Sequence, residues 1–495
     1  MSGTINFTNY SVTNRVPGVF EEVDPSHANT GGILQTALII GQQLATGTLV
    51  SGVPVLSLGI NDTASKAGQG SMLAKMLARY RKHDPYSPVW LLPLADDPSA
   101  SAATGTMVFS GTATAAGTLP VYVGDDLTSV GVTSGMTAAQ LATAVAAAIN
   151  ANVYLPVTAA VASATVTVTA KNKGAAPNDI VLAVAPLGAA AGQSIPAGIT
   201  VAITAMAGGA TNPSLTTPLL NLGAQPFDFI AMPYIDSVST AALTAFLNFT
   251  TGRWSPTSMI YGHAFAGFRG TYGAAITFLS ALNDPNLTVM PFAASSLTPY
   301  WLWAAALAGA AGQALQGDNC VVPFRQVPLY VSPPAIADQF TWQQQNQLLY
   351  TGGSVFTVNP DGSVSPLKVI TTYQTNAAGA ADNSYLNVER MFTLAQVLRL
   401  RRAFLQTQFG RKALVSNTVQ IPEGSTRVNA ATIQAAVVAY QYWLQNVRGL
   451  VQNADTFANN VVVNNAGNGL VEILAPDDLT NQLDIIAVLV QFVSS

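Results

Sequence analysis

The sequence predicts an α/β protein of several domains: a central α/β sandwich, a β-rich insertion within it, an α+β C-terminal domain and extended arms at both ends. Three observations predict it. Strand-like apolar runs alternate with helical patterns from residue 34 and again from residue 227, the rhythm of a sheet covered by helices. Between those two stretches, residues 101–211 are rich in Thr, Val and Ala and carry five charged residues only, Asp125, Asp126, Lys171, Lys173 and Asp179. The last stretch, residues 483–493, is strand-forming and apolar on both faces, the pattern of a strand with neighbours on both sides.

In chain order, residues 1–26 form an N-terminal arm in which Pro17-Gly18 turns the chain into a short strand. Residues 27–100 and 212–375 form the discontinuous central domain. Its first half holds a strand at Ala37-Leu38-Ile39-Ile40-Gly41, a helix over 71–80 opened by Gly68-Gln69-Gly70, and a strand over 88–94. Its second half holds strands at 227–233, 258–261 and 287–292 and helices at 240–249, 272–282 and 301–315. The insertion, 101–211, carries short strands at 106–110, 119–123 and 164–170 and a helix N-capped by Thr137. In the C-terminal domain, 376–482, a long helix over 385–409 precedes a second capped by Asn429, with Ile433, Val437, Tyr440, Leu444 and Val447 on one face. Val461, Val463, Val471 and Ile473 then flank Asn464-Asn465-Ala466-Gly467-Asn468-Gly469, a hairpin signal. Residues 483–495 are the C-terminal arm.

Composition excludes several functions. Hydrophobic residues make up 49% of the 495 and charged residues 9%, with a formal net charge of −4. That balance is too apolar for disorder, and it fits a surface largely covered by copies of the same chain, because interface cores are depleted in charge. No basic bias points to nucleic acid. One cysteine, Cys320, rules out an internal disulfide, and three scattered histidines (His27, His83, His263) argue against a metal site. The start Met1-Ser2-Gly3-Thr4 lacks the basic and apolar regions of a secretion signal, and the most membrane-like stretch, 301–315, reads as a buried helix, so no membrane insertion is expected.

The terminal stretch carries the sharpest expectation. Burying its side chains Ile485, Ile486, Val488, Leu489, Val490, Phe492 and Val493 is worth roughly 10–20 kcal/mol gross. Ordering the eleven residues 483–493 costs about as much. The segment therefore gains little until a preformed acceptor supplies ladder hydrogen bonds, which is the behaviour of a donated strand. Val16, Pro17, Gly18, Val19 and Phe20 make a second candidate arm, and the hairpin at 461–474 a candidate acceptor. Between residues 385 and 427 seven basic residues face two acidic ones. Arg390 and Arg401 are three helical turns apart, and Lys412 joins their face if the helix survives Gly410, making a docking stripe for an acidic surface.

Catalytic signals fail by comparison. Gly68-Gln69-Gly70-Ser71 lacks the Lys of a phosphate loop and the third glycine of a dinucleotide fingerprint. Ser258 with His263 has no third member to complete a triad. The adjacent pairs Glu21-Glu22, Asp96-Asp97 and Asp477-Asp478 diverge in extended chain and are expected to be solvated charges. No enzyme, cofactor or metal is expected.

The order of parts resembles the tail sheath proteins of contractile bacteriophages, those of Mu-like phages in particular. The resemblance rests on Val16-Pro17-Gly18-Val19, on Gly68-Gln69-Gly70-Ser71-Met72-Leu73 before Trp90-Leu91-Leu92-Pro93, and on Tyr385-Leu386-Asn387-Val388-Glu389-Arg390. It also rests on Pro476-Asp477-Asp478-Leu479-Thr480-Asn481-Gln482-Leu483 running into Val490-Gln491-Phe492. It implies a central domain that is subtilisin-like in fold only, and a helical homo-oligomer of stacked six-membered rings around a tail tube protein. It further implies strand exchange through both arms, a C-terminal domain facing the tube, and baseplate and tail terminator proteins as partners. The implied setting is the virion tail, assembled in the bacterial cytoplasm, whose contraction drives the tube through the host envelope. Two other readings stay open on the residues: a secreted surface-layer or adhesin-like protein, which the Thr/Ala/Val-rich insertion suits, and a cryptic serine hydrolase built on Ser258.

Overall fold

The computed structural model describes residues 35–422 and 424–491. The N-terminal candidates Val16, Pro17, Gly18, Val19 and Phe20 lie outside those residues, as do Glu21-Glu22, His27, Phe492 and Val493.

The first strand, β1 (Ala37–Gln42), is buried at every position, as a strand covered on both faces must be. Strand β2 (Val55–Leu56) and helix α1 (Ile60–Ala67) follow; the sequence pattern did not signal either. Helix α2 (Met72–Tyr80) starts where Ser71 Oγ accepts the backbone N–H of Ala74, and it buries Met72, Leu73, Met76, Leu77 and Tyr80. Gly41 lets it come close: a Cβ there would lie 3.0 Å from Leu73 Cα. Strand β3 (Val89–Leu94) pairs parallel with β1, Ala37 opposite Val89, and antiparallel with β2.

The next strands leave this sheet. β4 (Ala102–Gly111), β7 (Val157–Ala162), β8 (Thr165–Lys173) and β10 (Ile199–Ala207) form one antiparallel sheet in the order β10-β4-β8-β7. β5 (Gly117–Val123), β6 (Asp126–Val132) and β9 (Leu182–Val184) form another. Helix α3 (Ala138–Ala151) carries the expected Thr137 cap, with Gln140 completing a capping box.

After a short helix α4 (Thr216–Leu220) the chain re-enters the first sheet through β11 (Phe229–Ala231), β12 (His263–Arg269) and β13 (Leu287–Phe292), giving the order β13-β12-β11-β1-β3-β2, all parallel except β2. Helices α5 (Ser237–Leu247) and α6 (Tyr272–Leu279) connect these strands. The strand expected at 258–261 does not form. There Met259 and Tyr261 take left-handed backbone angles (φ 51° and 65°), Ile260 and Tyr261 both donate their N–H to the carbonyl of Arg253, and the strand begins at His263.

Helix α7 (Tyr300–Ala314) is buried on all sides from Tyr300 to Gly312, as its all-round apolarity requires. Gly309 and Gly312 admit Tyr80 of α2, whose carbonyl and hydroxyl would lie 2.8 and 2.5 Å from Cβ atoms added there. Among the described residues no helix is long and apolar enough to cross a membrane.

Helix α8 (Trp342–Tyr350) and the hairpin of β14 (Val355–Val358) and β15 (Val364–Lys368) lead to α9 (Val388–Phe409). The first half of α9 lies on the main core, where Phe392 stacks on Phe229 with ring centroids 5.0 Å apart. Beyond it, β16 (Ala413–Leu414) pairs with β17 (Arg427–Val428), and α10 (Ala430–Trp443) begins at the Asn429 cap. The apolar face expected to reach Val447 does not. The helix relaxes into a π-turn over Leu444–Arg448, whose extra residue rotates the face and leaves Val447 exposed. β18 (Val451–Gln452) and α11 (Ala454–Asn460) follow, then the hairpin β19 (Val462–Gly467) and β20 (Leu470–Leu474), and β21 (Asp478–Leu479) pairs with β18.

Candidate functional site

The C-terminal segment sets the question. Residues 480–491 belong to no strand or helix, and Ile485, Ile486, Val488, Leu489 and Val490 are 73–85% exposed. Five large apolar side chains within six residues, with no strand partner among the described residues, make an apolar stretch of backbone open to pairing.

The hairpin at 461–474 is a two-stranded sheet with Val463 opposite Ile473 and Asn465 opposite Val471. Val461 and Val463 are buried against Val428, Ile433, Val437 and Phe457, with Val471 and Ile473 packed beside them. One face is thus anchored on α10 and α11. The turn sits later than the Asn/Gly-rich run suggested: β19 extends to Gly467, and Asn468 and Gly469 both take positive φ (53° and 80°), the pair a type I′ turn requires.

The basic stripe is corrected. Helix α9 ends at Phe409 with Gly410 as its cap, so Lys412 leaves the face and donates to the carbonyl of Ser425. Arg401 is not free: its guanidinium meets both carboxylate oxygens of Asp477 at 2.5 Å, donates to Gln441 Oε1 at 3.0 Å and lies over the Phe457 ring. Arg390 donates to Asn481 Oδ1 at 2.8 Å. The acidic surface that Arg401 meets is therefore the root of this chain's own C-terminal segment. Two cations from elsewhere join them. Lys368, at the end of β15, pairs with Asp484 at 2.6 Å, and Arg325 donates to the carbonyls of Leu483 and Asp484. Sequence reasoning missed both, since they lie 116 or more residues from their partners in a chain without a local motif.

The residues tested for chemistry are accounted for by structure. Ser258 Oγ accepts from Ser255 Oγ at 3.1 Å, while His263 is buried with Nε2 2.8 Å from Thr288 Oγ1. Burial alone drives the His263 imidazole down to about 3, so it is neutral. The Cys320 thiol, buried against α9, is pushed up to about 12 and is unreactive as a nucleophile. Gly70 (φ +80°) turns into α2 in contact with the insertion: an added Cβ would lie 2.2 Å from the Leu155 carbonyl. Among the acidic pairs, Asp96 and Asp477 are not the solvated charges expected. Asp96 accepts from Gln42 Nε2 at 2.7 Å and from the Lys173 N–H at 3.0 Å, and Asp477 is held by Arg401.

A multi-sheet α/β subunit with an exposed apolar segment at 485–490, unpaired among the described residues, has the character of a chain that assembles with copies of itself. Comparison with known proteins makes the class specific: the sequence model described as "Phage tail sheath protein central domain" matches residues 208–372. Over 494 residues, 99% of this chain and 100% of the relative, the sequence is 32% identical to the Mu-like prophage FluMu tail sheath protein of Haemophilus influenzae, and the chain belongs to the phage tail sheath family. Similar solved structures include a sheath tail protein of Desulfitobacterium hafniense (14% identity, 94% of this chain and 97% of that one, TM-score 0.48). Another is the sheath complex of an extracellular contractile injection system in the contracted state (10% identity, 98% and 99%, TM-score 0.45). The protein is a structural subunit of a phage-type tail sheath.

Proposed function

We propose that this subunit polymerises as stacked six-membered rings around a tail tube, and that residues 485–493 add as a strand to the hairpin of a neighbouring subunit. The observation that carries the reading is the run of exposed apolar residues from Ile485 to Val490 with no strand partner among the described residues. The hairpin at 461–474, anchored on one face and two-stranded, has outer edges six and five residues long that are unpaired among the described residues. Residues 16–20 act as the second arm. The central domain (27–100 with 212–375) carries the arms and the insertion (101–211), and the C-terminal domain faces the tube. Tube, baseplate and terminator proteins complete the partners, in a virion tail assembled in the host cytoplasm.

Contraction is then a downhill change between two packings of the same subunit, with its energy stored at assembly and no bond chemistry in the subunit. The test is deletion of residues 485–495. The expected outcome is a folded, monodisperse subunit that forms no tubes in negative-stain electron microscopy. Tubes of normal length from the deleted chain would refute strand donation.

A further inference from the structure

The segment that precedes the free arm is held far more tightly than a linker needs to be. From residue 477 to residue 484 almost every residue makes a side-chain or backbone contact to a distant part of the chain. Asp477 meets Arg401, and β21 pairs with β18 through Asp478 and Leu479. Thr480 donates through its N–H to Leu450 and through its hydroxyl to Gly449, at 3.1 and 2.7 Å. Asn481 accepts from Arg390, and Asp484 pairs with Lys368 while Arg325 donates to the carbonyls of Leu483 and Asp484. Immediately afterwards no further hydrogen bond or ion pair forms among the described residues, and Ile485 is exposed.

We infer that Arg325, Lys368, Arg390 and Arg401 form an intramolecular clasp that fixes the point and direction at which the arm leaves the subunit. This deepens the strand-donation reading and rests on it for its purpose, though not for its existence. The four cations come from three separate places: the segment between α7 and α8, the end of β15, and two positions on α9 eleven residues apart. They converge on one strip of chain. Arg401 engages a carboxylate through both oxygens, which fixes orientation as well as position, whereas Lys368 supplies a point charge at the exit.

A clasp of this kind matters because the free arm is short. The eleven residues 485–495 reach at most about 40 Å when extended. An acceptor must therefore lie within that distance of Asp484, and a root free to swing lowers the effective concentration of the strand at its acceptor. A fixed root also carries any pull on the arm into α9 and β15 of the donor subunit.

The test uses the full-length chain below its assembly concentration, cut with chymotrypsin and mapped by mass spectrometry. In the unmodified protein cleavage falls after Leu489, and Leu483 and Leu479 are spared. In Arg325→Met with Lys368→Met, cleavage after Leu483 and Leu479 is expected to rise at least tenfold, while the rate after Leu489 stays the same. The charge exchange Lys368→Asp with Asp484→Lys is expected to restore protection at Leu483. Tube formation by the double Met variant is expected to fall, with circular dichroism unchanged. Unchanged cleavage at Leu483 and Leu479 overturns the clasp. Raised cleavage with undiminished tubes overturns its role in directing the arm. Neither result depends on whether the chain lacking 485–495 assembles, so the two proposals fail separately.

Discussion

Arg399→Met offers the most direct test of how the C-terminal half is joined to the central sheet. Arg399 lies on α9 and Asp228 immediately before β11; both side chains are 4% exposed, and Nη2 lies 2.5 Å from Oδ1. Asp228 also accepts the N–H of Thr36 at 3.3 Å, and the Arg399 guanidinium donates to the Ile260 carbonyl and lies over Tyr261. Replacing Arg399 with Met keeps the bulk of the stem but leaves a buried carboxylate without its counter-charge. Breaking a buried pair in this way costs about 3–5 kcal/mol, because the surviving ion is neither solvated nor compensated. Removing both charges, Asp228→Asn with Arg399→Met, leaves no orphan ion. The double variant is expected to recover at least about 2 kcal/mol relative to the sum of the single losses. The assay is guanidinium unfolding at pH 7 followed by far-UV circular dichroism, with the slope checked for constancy across the four proteins. A loss below about 1 kcal/mol for Arg399→Met, or strict additivity in the double variant, would show that α9 is not held to the sheet through this pair.

Two further perturbations follow from buried groups. Burial lowers the His83 imidazole to about 4 and that of His263 to about 3, with Arg79 and Lys82 adding to the effect at His83. Both are neutral in the folded chain, whereas an unfolded histidine titrates near 6.5, so the unfolded state takes up more protons below that pH. Stability is therefore whole above pH 6.5 and falls on acidification, by about 2.5 kcal/mol per histidine at pH 4.5. His263→Leu is expected to flatten the stability profile between pH 6.5 and 4.5 by one histidine's share; an unchanged slope would contradict a buried neutral imidazole. Gly70→Ala is expected to cost more than about 2 kcal/mol, because it combines a left-handed backbone (φ +80°) with a Cβ 2.2 Å from the Leu155 carbonyl. Its effect on the melting temperature is measured against Gly273→Ala, where an added Cβ meets nothing within 4 Å.

What the sequence made legible follows from how local each signal is. β1, β3 and β13 were readable because a strand buried on both faces has to be continuously apolar, and Thr137 and Asn429 were readable because a cap satisfies N–H groups only three residues away. The hairpin at 461–474 was readable from its turn residues, although its first strand runs four residues further into the Asn/Gly stretch than composition suggested. What failed was non-local. β2, β9 and β21 are two or three residues long and exist only because a partner strand is already in place. The basic residues on α9 announced a docking surface, and helical spacing alone could not show that Asp477, 76 residues away, had taken Arg401. The π-turn that exposes Val447 depends on Gly449 and Leu450 closing the helix end, which the apolar period does not encode.

The low charge of this chain acquires a meaning from where the charges are spent. Of the eight ion pairs among the described residues, only Lys66–Asp62 is local to one helix. The others join segments far apart in sequence. The insertion uses all three of its acidic residues this way: Asp125 with Arg79, Asp126 with Lys75, and Asp179 with Arg269 at 2.6 Å. Its two lysines also sit at the junction, Lys171 donating to the Gln69 carbonyl and Lys173 joined through its backbone to Asp96 and Gln42. Charge is thus withdrawn from the outward faces and concentrated at the joints between elements, where partial burial shields it from salt. Under the proposed contraction, a subunit that keeps its shape while its neighbours shift around it needs that distribution. Its internal joints have to be geometrically specific, as paired and hydrogen-bonded charges are, and its outer faces have to slide and re-pack, as apolar and Thr-rich surfaces can. The exposed arm at 485–490 is the extreme of the second kind and the clasped root at 477–484 of the first. The boundary between them lies at Asp484, where the held root passes into the exposed segment.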